Sequence, residues 1–161
     1  MADKPTSGSY FQSLRYVHAG QLLALIVLLA LVRFVFLNDA TIDAASVNDI
    51  FILYTPGVVM LLGILIGEML FQKRVKSARN APSLSAKLTQ FRAASIIRWA
   101  ALVGPSLFAI VWFMIYADKF FMAIALVGMA LLAFARPSVE KTGRNLRLDD
   151  AEQRKIEEPG F

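Results

Sequence analysis

Four polar residues lie within or beside long apolar runs of this chain, where their side chains could do chemistry: Glu68, Arg98, His18 and Gln21. Ionisable groups at membrane depth are costly, so they are candidates for function. We predict that the four form one cluster at the cytoplasmic end of a helical bundle. The cluster would act either as a proton or anion site in which Glu68 titrates, or as a paired structural cluster. We favour the structural alternative, because Glu68 lies near enough to the interface to snorkel.

The elements that would position these residues are four apolar runs. We predict membrane spans at about residues 14–37, 50–71, 93–116 and 118–135. Crossing roughly 30 Å of hydrocarbon takes about 20 helical residues. The predicted fold class is therefore all-α, an integral membrane four-helix bundle that occupies residues 1–137.

The distribution of Lys and Arg predicts the orientation of the bundle. Residues 72–92 hold six basic residues and no acidic one, six more follow from Arg136 onward, and the predicted outer loops hold only Lys119. Basic residues beside spans are retained on the cytoplasmic side, so both termini are expected inside. The formal net charge of +5 then reflects orientation rather than nucleic-acid binding. We predict a multi-pass protein of the bacterial cytoplasmic (inner) membrane, with the lipid bilayer as its main partner.

The segments outside the spans carry their own signals. Residues 1–13 are predicted to be a disordered or surface-lying start, and residues 38–49 an outer loop. Ser83 is placed to begin a helix, whose first part at residues 84–92 is amphipathic and is predicted to lie in the membrane interface before the third span. This helix is predicted to run from Leu84 to Tyr116, and a basic loop is predicted between the second span and its start.

Residues 138–161 are predicted to be a solvated cytoplasmic tail of mixed charge. Asp149 with Glu152 three positions later predicts a short capped helix, Asp150–Glu157. The tail could also dock a soluble partner, which is a third and less favoured interpretation of the chain.

Gly63 and Gly67 form a G-x-x-x-G pair on one face of the second span. Such a pair lets two helices approach closely. The motif does not choose between packing inside this chain, which we favour, and the contact face of a homo-oligomer. Pro56 and Pro105 lie inside predicted spans, where each removes a backbone donor.

The sequence excludes several kinds of chemistry. The chain has no cysteine and a single histidine, which rules out thiolate nucleophiles, Cys-based metal sites and multi-histidine sites. No phosphate-binding glycine loop, catalytic triad or H-E-x-x-H motif occurs. We therefore predict a protein that is not an enzyme, without catalytic residues, cofactor or metal.

Two stretches resemble a known group of proteins. They are residues 95–110, SIIRWAALVGPSLFAI, and residues 135–148, ARPSVEKTGRNLRL. Together they resemble a group of short uncharacterised bacterial four-span membrane proteins, some labelled automatically as major-facilitator transporters. The group has an acidic residue just before the glycine-proline-like pair, where this chain has Val103. The resemblance implies four spans and carries over no functional residue.

The sequence therefore predicts an accessory or scaffolding subunit of a membrane assembly. The alternative is a small proton-coupled or solute transporter that uses Glu68.

Overall fold

Helices make up nearly all of the chain that the structure describes. The structure is a computed structural model that describes residues 7–37 and 50–157. In order, the α-helices are α1 (Ser7–Leu31), α2 (Ile50–Arg79), α3 (Leu84–Tyr116), α4 (Lys119–Phe134), α5 (Val139–Leu146) and α6 (Asp150–Glu157). No strand occurs within those two ranges, so the predicted all-α class is confirmed there. The predicted outer loop at 38–49 lies outside the described residues.

Helix α1 begins earlier than predicted, because its first turns pack on the protein. Residues 7–13, predicted to belong to a disordered or surface-lying start, are helical. Phe11 is buried, and Tyr10 Oη donates a hydrogen bond to the Leu88 carbonyl oxygen, 2.6 Å away. These contacts fix the start of α1 against α3. At its other end α1 passes into a π-helical turn, Val32–Phe36.

The predicted helix Leu84–Tyr116 is present with these bounds, whereas residues 72–79, predicted to belong to a basic loop, are helical as the end of α2. Helices α2 and α3 occupy all of the basic stretch 72–92 but residues 80–83. Ser83 caps α3 as predicted, since its Oγ accepts a hydrogen bond from the backbone nitrogen of Ala86 at 3.3 Å. The two helices thus form a long hairpin whose closed end carries the basic side chains.

Both helical extensions form because they carry apolar residues at helical spacing. Val75 and Ala78 on α2, and Leu88 and Phe91 on α3, are all buried. The predicted interfacial position of residues 84–92 stays a prediction, but the apolar face expected to meet lipid is covered. Their apolar face contacts protein, and α3 continues from them as one helix.

A short connection joins α3 to α4, as the sequence predicts. Ala117 adopts a left-handed backbone conformation with φ 55°, and Asp118 Oδ1 accepts a hydrogen bond from the backbone nitrogen of Phe120 at 2.8 Å. Helix α4 has 16 residues, which gives about 24 Å at 1.5 Å per residue. After α4 the chain bends by 79° into α5.

The predicted solvated tail is folded against the rest of the chain. Leu146 at the end of α5 and Ile156 on α6 are 1% and 3% exposed. The predicted helix Asp150–Glu157 is present, and Asp149 Oδ1 accepts a hydrogen bond from the backbone nitrogen of Glu152 at 2.6 Å. Because Leu146 and Ile156 are buried within the chain, this segment does not offer these two side chains to a soluble partner.

Two apolar clusters hold the helices together. The first, the span core, consists of buried residues from α1, the π-helical turn, α3 and α4: Leu14, Leu25, Val32, Trp99, Leu102, Ala109, Ile110, Phe113, Phe121, Ala125, Met129 and Leu132. The second, the basic-end core, joins the hairpin tip to the start of α1 and to α5 and α6: Phe11, Phe71, Val75, Ala78, Leu88, Phe91, Ala94, Leu146 and Ile156.

Helix α2 packs on α3 through the two glycines of the G-x-x-x-G pair. A Cβ added at Gly63 would lie 2.5 Å from both the Ala101 carbonyl oxygen and Pro105 Cγ, and one added at Gly67 would lie 2.7 Å from Ala101 Cβ. The motif left open packing within the chain or contact with a second copy. In the structure the two glycines pack within the chain, against α3. The glycine face is covered by α3 and is not free to contact a second copy.

Two prolines within helices leave backbone carbonyls without a helical donor, and a tryptophan side chain donates to one of them. Pro56 has no N–H for the Ile52 carbonyl four residues earlier, and Trp112 Nε1 donates to that carbonyl at 3.3 Å. Pro105 likewise leaves the Ala101 carbonyl without its helical donor, and this is the carbonyl that faces Gly63. Both prolines are buried inside continuous helices.

Three described helical segments are long and apolar enough to cross a membrane: Tyr10–Phe36, Ile50–Arg79 and Leu84–Tyr116. A fourth is added if α4 and α5 are counted as one bent span. This composition suggests a multi-pass membrane protein.

Candidate functional site

Glu68 on α2 and Arg98 on α3 form an ion pair. Arg98 Nη2 lies 2.9 Å from Glu68 Oε2, and Gln72 Nε2 donates to Glu68 Oε1 at 2.7 Å. The Arg98 guanidinium also lies over the Phe71 ring, 4.8 Å from its centroid. The side chains of Arg98 and Glu68 are 37% and 41% exposed, so the pair lies at the surface of the bundle. Each carboxylate oxygen of Glu68 has a donor.

His18 has different partners, at the end of α4. Its Nε2 lies 2.8 Å from the Leu132 carbonyl oxygen. A carbonyl oxygen can only accept, so Nε2 carries the proton in this contact. The His18 ring packs against Trp99 with 5.1 Å between ring centroids, and Trp99 Nε1 donates to the Ala135 carbonyl at 3.1 Å.

These contacts close the C-terminal end of α4. The last carbonyls of a helix have no helical N–H partner, and leaving them unpaired away from water is costly. His18 from α1 and Trp99 from α3 donate to two carbonyls there, and Lys141 Nζ from α5 donates to the Phe134 carbonyl at 3.3 Å. The geometry therefore gives His18 a structural role.

Gln21 faces an apolar groove between α1 and α3. Its Oε1 is buried and has no hydrogen-bond partner among the described residues. The groove has an empty volume of about 1070 Å³, and Val103 and Leu107 line it from α3. No atom lies within 4 Å of a Cβ added at Gly20 or Gly104, so the packing beside these two glycines is open.

The structure thus divides the predicted cluster. Glu68 and Arg98 lie together as an ion pair. His18 instead contacts the end of α4, and Gln21 lines the α1–α3 groove. The sequence analysis missed Trp99 and Lys141 as partners of the α4 carbonyls. A signal was present, because a 16-residue apolar helix followed by Arg136 and Pro137 must find donors for its last carbonyls.

Two pockets adjoin at Arg98 and Ala135, which line both. The polar pocket is lined by Ser95, Arg98, Arg136, Ser138, Lys141, Thr142 and Asn145, with Phe71, Phe91, Trp99, Phe134 and Pro137 beside them. The apolar pocket is lined by Gly63, Ile64, Gly67, Leu102 and Leu131 together with Glu68. The side chain of Arg98 therefore lies where a basic, polar surface changes to an apolar one.

Within residues 7–37 and 50–157, no three His, Asp or Glu side chains lie close enough together to hold a metal ion. Comparisons with protein-family models, curated proteins and solved structures each gave no significant match. The resemblance to short bacterial four-span proteins therefore stays a prediction, as does the absence of enzymatic activity.

Proposed function

We propose that the chain is a multi-pass protein of the bacterial cytoplasmic membrane, with both termini on the cytoplasmic side. The support is the match between charge and fold. The start of α1, the tip of the α2–α3 hairpin, α5 and α6 meet in the basic-end core, and most Lys and Arg residues belong to these segments. The positive-inside rule places such an end in the cytoplasm.

Single-cysteine accessibility tests this orientation, and the natural chain has no cysteine to give a background signal. Cysteines are introduced at Ala81, in the hairpin turn, and at Lys119, in the α3–α4 connection. A membrane-impermeant thiol reagent applied to intact cells should label Lys119→Cys and spare Ala81→Cys. The reverse labelling pattern would show that the orientation is inverted.

Within that membrane, we propose that the chain is an accessory or scaffolding subunit that binds a transmembrane helix of a partner protein. The observation that supports this is the α1–α3 groove. It is apolar and exposes two small residues of α1, Gly20 and Ala24, which allow a helix to approach closely.

Co-purification in mild detergent tests this role with two matched substitutions. Ala24→Leu fills the groove, whereas Ala123→Leu adds the same volume at an exposed position of α4 outside it. Wild type and Ala123→Leu should retain a stoichiometric membrane partner that Ala24→Leu loses. A partner identical in mass to the chain would identify a homo-oligomer through the same groove. Equal retention by both variants, or a wild type without any partner, would contradict the role.

A transporter that uses Glu68 is the second candidate. Its support is that Glu68 lies half-exposed at the edge of the apolar pocket, where a titrating carboxylate could meet a solute. The Arg98 and Gln72 contacts weigh against it, because both carboxylate oxygens already have donors. In proteoliposomes Glu68→Gln should abolish any pH-dependent flux. Unchanged flux would rule out a titrating role for this residue.

A further inference from the structure

We propose that the polar and apolar pockets together bind one anionic phospholipid, with its phosphate in the polar pocket and an acyl chain in the apolar pocket. Arg98 and Ala135 line both pockets, so the two lie side by side in a slot between α2, α3, the end of α4 and the start of α5. The proposal goes beyond the accessory role and uses a different face of the molecule. It rests on membrane insertion, which the cysteine experiment tests independently.

The polar pocket has the side chains that recognise a phosphate. Arg98, Arg136 and Lys141 line it together with hydroxyl and amide groups, and no acidic residue is among its described lining residues. One guanidinium nitrogen of Arg98 contacts Glu68, and one N–H of Lys141 donates to the Phe134 carbonyl. Both side chains therefore have further N–H donors that could bind a phosphate. Arg136 is exposed. Charge-assisted hydrogen bonds from such groups to phosphate are short and strong.

The apolar pocket suits a hydrocarbon chain rather than a soluble anion. Apart from the Glu68–Arg98 pair, its described lining residues are Gly63, Ile64, Gly67, Leu102, Leu131 and Ala135. Side chains on the two glycines would collide with α3, so their absence lets α2 lie close to α3 along this wall of the pocket. Helices α2 and α4 both pack mainly on α3, which leaves the slot between them.

The position along the helices matches that of a lipid headgroup. On α2 the exposed residues change from apolar to basic just after Glu68, and α4 ends at Phe134, just before Arg136. The phosphate layer of the cytoplasmic leaflet is expected at this level. Basic pockets between helices on the cytoplasmic side are where anionic headgroups bind.

Lipid binding to the purified full chain in mild detergent tests the proposal. Apparent affinity is measured by native mass spectrometry and by the shift of the melting temperature, with phosphatidylglycerol, phosphatidylcholine or inorganic phosphate added. The double variant Arg136→Gln/Lys141→Gln removes two pocket cations. The control Lys73→Gln/Lys76→Gln removes two exposed cations of α2 that do not line the pocket. If the double variant does not fold, the single variant Arg136→Gln replaces it in the comparison. Arg136 is exposed, so this substitution should not prevent folding.

Phosphatidylglycerol should bind wild type and the control alike, and more tightly than phosphatidylcholine. The pocket double variant should lose about ten-fold or more in affinity for it. Equal affinity for the anionic and zwitterionic lipids, or the same loss in the control, would overturn the proposal. Inorganic phosphate that stabilises wild type as strongly as the lipid does, and loses its effect in the pocket variant, would assign the site to free phosphate instead.

Discussion

The two halves of α2 show the contrast between the two regions of this molecule. In the half beside the span core, the exposed side chains are apolar, and they include Leu61, Leu65 and Met69. In the half that enters the basic-end core, the exposed side chains are polar or charged: Gln72, Lys73, Arg74, Lys76 and Ser77. One continuous helix therefore changes the character of its outer face within a single turn, beside the Glu68–Arg98 pair.

This difference implies that the two regions are stabilised in different ways. The basic-end core buries apolar faces under a polar surface, so removal of apolar area from water can drive its packing. In lipid the hydrophobic effect gives no such drive, and helices associate through close packing and polar contacts instead. Under the proposed membrane insertion, we expect the stability of the span region to depend on the close packing of Gly63 and Gly67 against α3. We expect it to depend also on the side chains that donate to carbonyls at the end of α4.

The sharpest test of this contrast compares one substitution in both regions. Leu146→Ala in the basic-end core, where the side chain is 1% exposed, should cost about 2–5 kcal/mol. Leu65→Ala on the outer face of α2, where the side chain is 57% exposed, should change stability by about 0.5 kcal/mol or less. Thermal unfolding in detergent, followed by circular dichroism and by limited proteolysis of α5 and α6, measures both. Similar losses in the two variants would remove the distinction between the regions.

A second test adds a methyl group inside the span region. Gly63→Ala should destabilise the protein by about 1–3 kcal/mol, because its Cβ would meet the Ala101 carbonyl and Pro105. Gly57→Ala should leave stability unchanged or raise it by up to about 1 kcal/mol, since its nearest neighbour is Ile124 Cδ1 at 3.9 Å and alanine favours helix. Melting temperatures of the two variants in the same detergent give the comparison. A Gly63→Ala variant as stable as wild type would mean that α2 and α3 approach less closely.

Local signals predicted much of the fold. The apolar runs predicted the approximate positions of the four main helices. Ser83 and Asp149 marked the starts of two helices, and the spacing of Gly63 and Gly67 predicted close helix packing. The sequence does not predict the extension of α2 to Arg79, because the basic residues that follow Phe71 favour a loop. Val75 and Ala78 were the apolar signal there, but their burial depends on partners distant in sequence, Leu146 and Ile156 among them.

The candidate site was harder to predict. The sequence indicates how deep a residue lies along a span, but not towards which neighbouring helix its side chain points. Glu68 and Arg98 were placed at similar depth and do pair. His18 was assigned to the same cluster on depth alone, yet it donates to the Leu132 carbonyl. The sequence shows that the carbonyls at the end of α4 need donors, but only the way the helices pack reveals which side chains supply them.

The Glu68–Arg98 pair gives a third test, at the border between the regions. Glu68→Gln leaves Arg98 without its counter-charge and should cost about 1–2 kcal/mol, between the effects of exposed and buried pairs. Glu140→Gln breaks the exposed i,i+4 pair with Arg144 and should cost about 0.5 kcal/mol or less. The two melting temperatures are compared at one pH and one salt concentration. Equal effects would place the Glu68 pair in an environment as water-like as that of Glu140.

The smallest expected effect lies in the basic-end core. Lys87 Nζ on α3 contacts both carboxylate oxygens of Glu152 on α6, at 2.7 and 2.8 Å, and the side chains are 16% and 22% exposed. Lys87→Gln should cost about 1 kcal/mol at low salt. Lys155→Gln, at an exposed position of α6, should have almost no effect.

Salt gives this last comparison a second, independent readout. If water surrounds the basic-end core, raising the salt concentration should narrow the difference in melting temperature between wild type and Lys87→Gln, because mobile ions screen the pair. Glu68→Gln should respond less to salt, since its pair lies at the border with lipid or detergent. Equal salt responses for the two pairs would mean that the change in surface character along α2 does not correspond to a change of solvent.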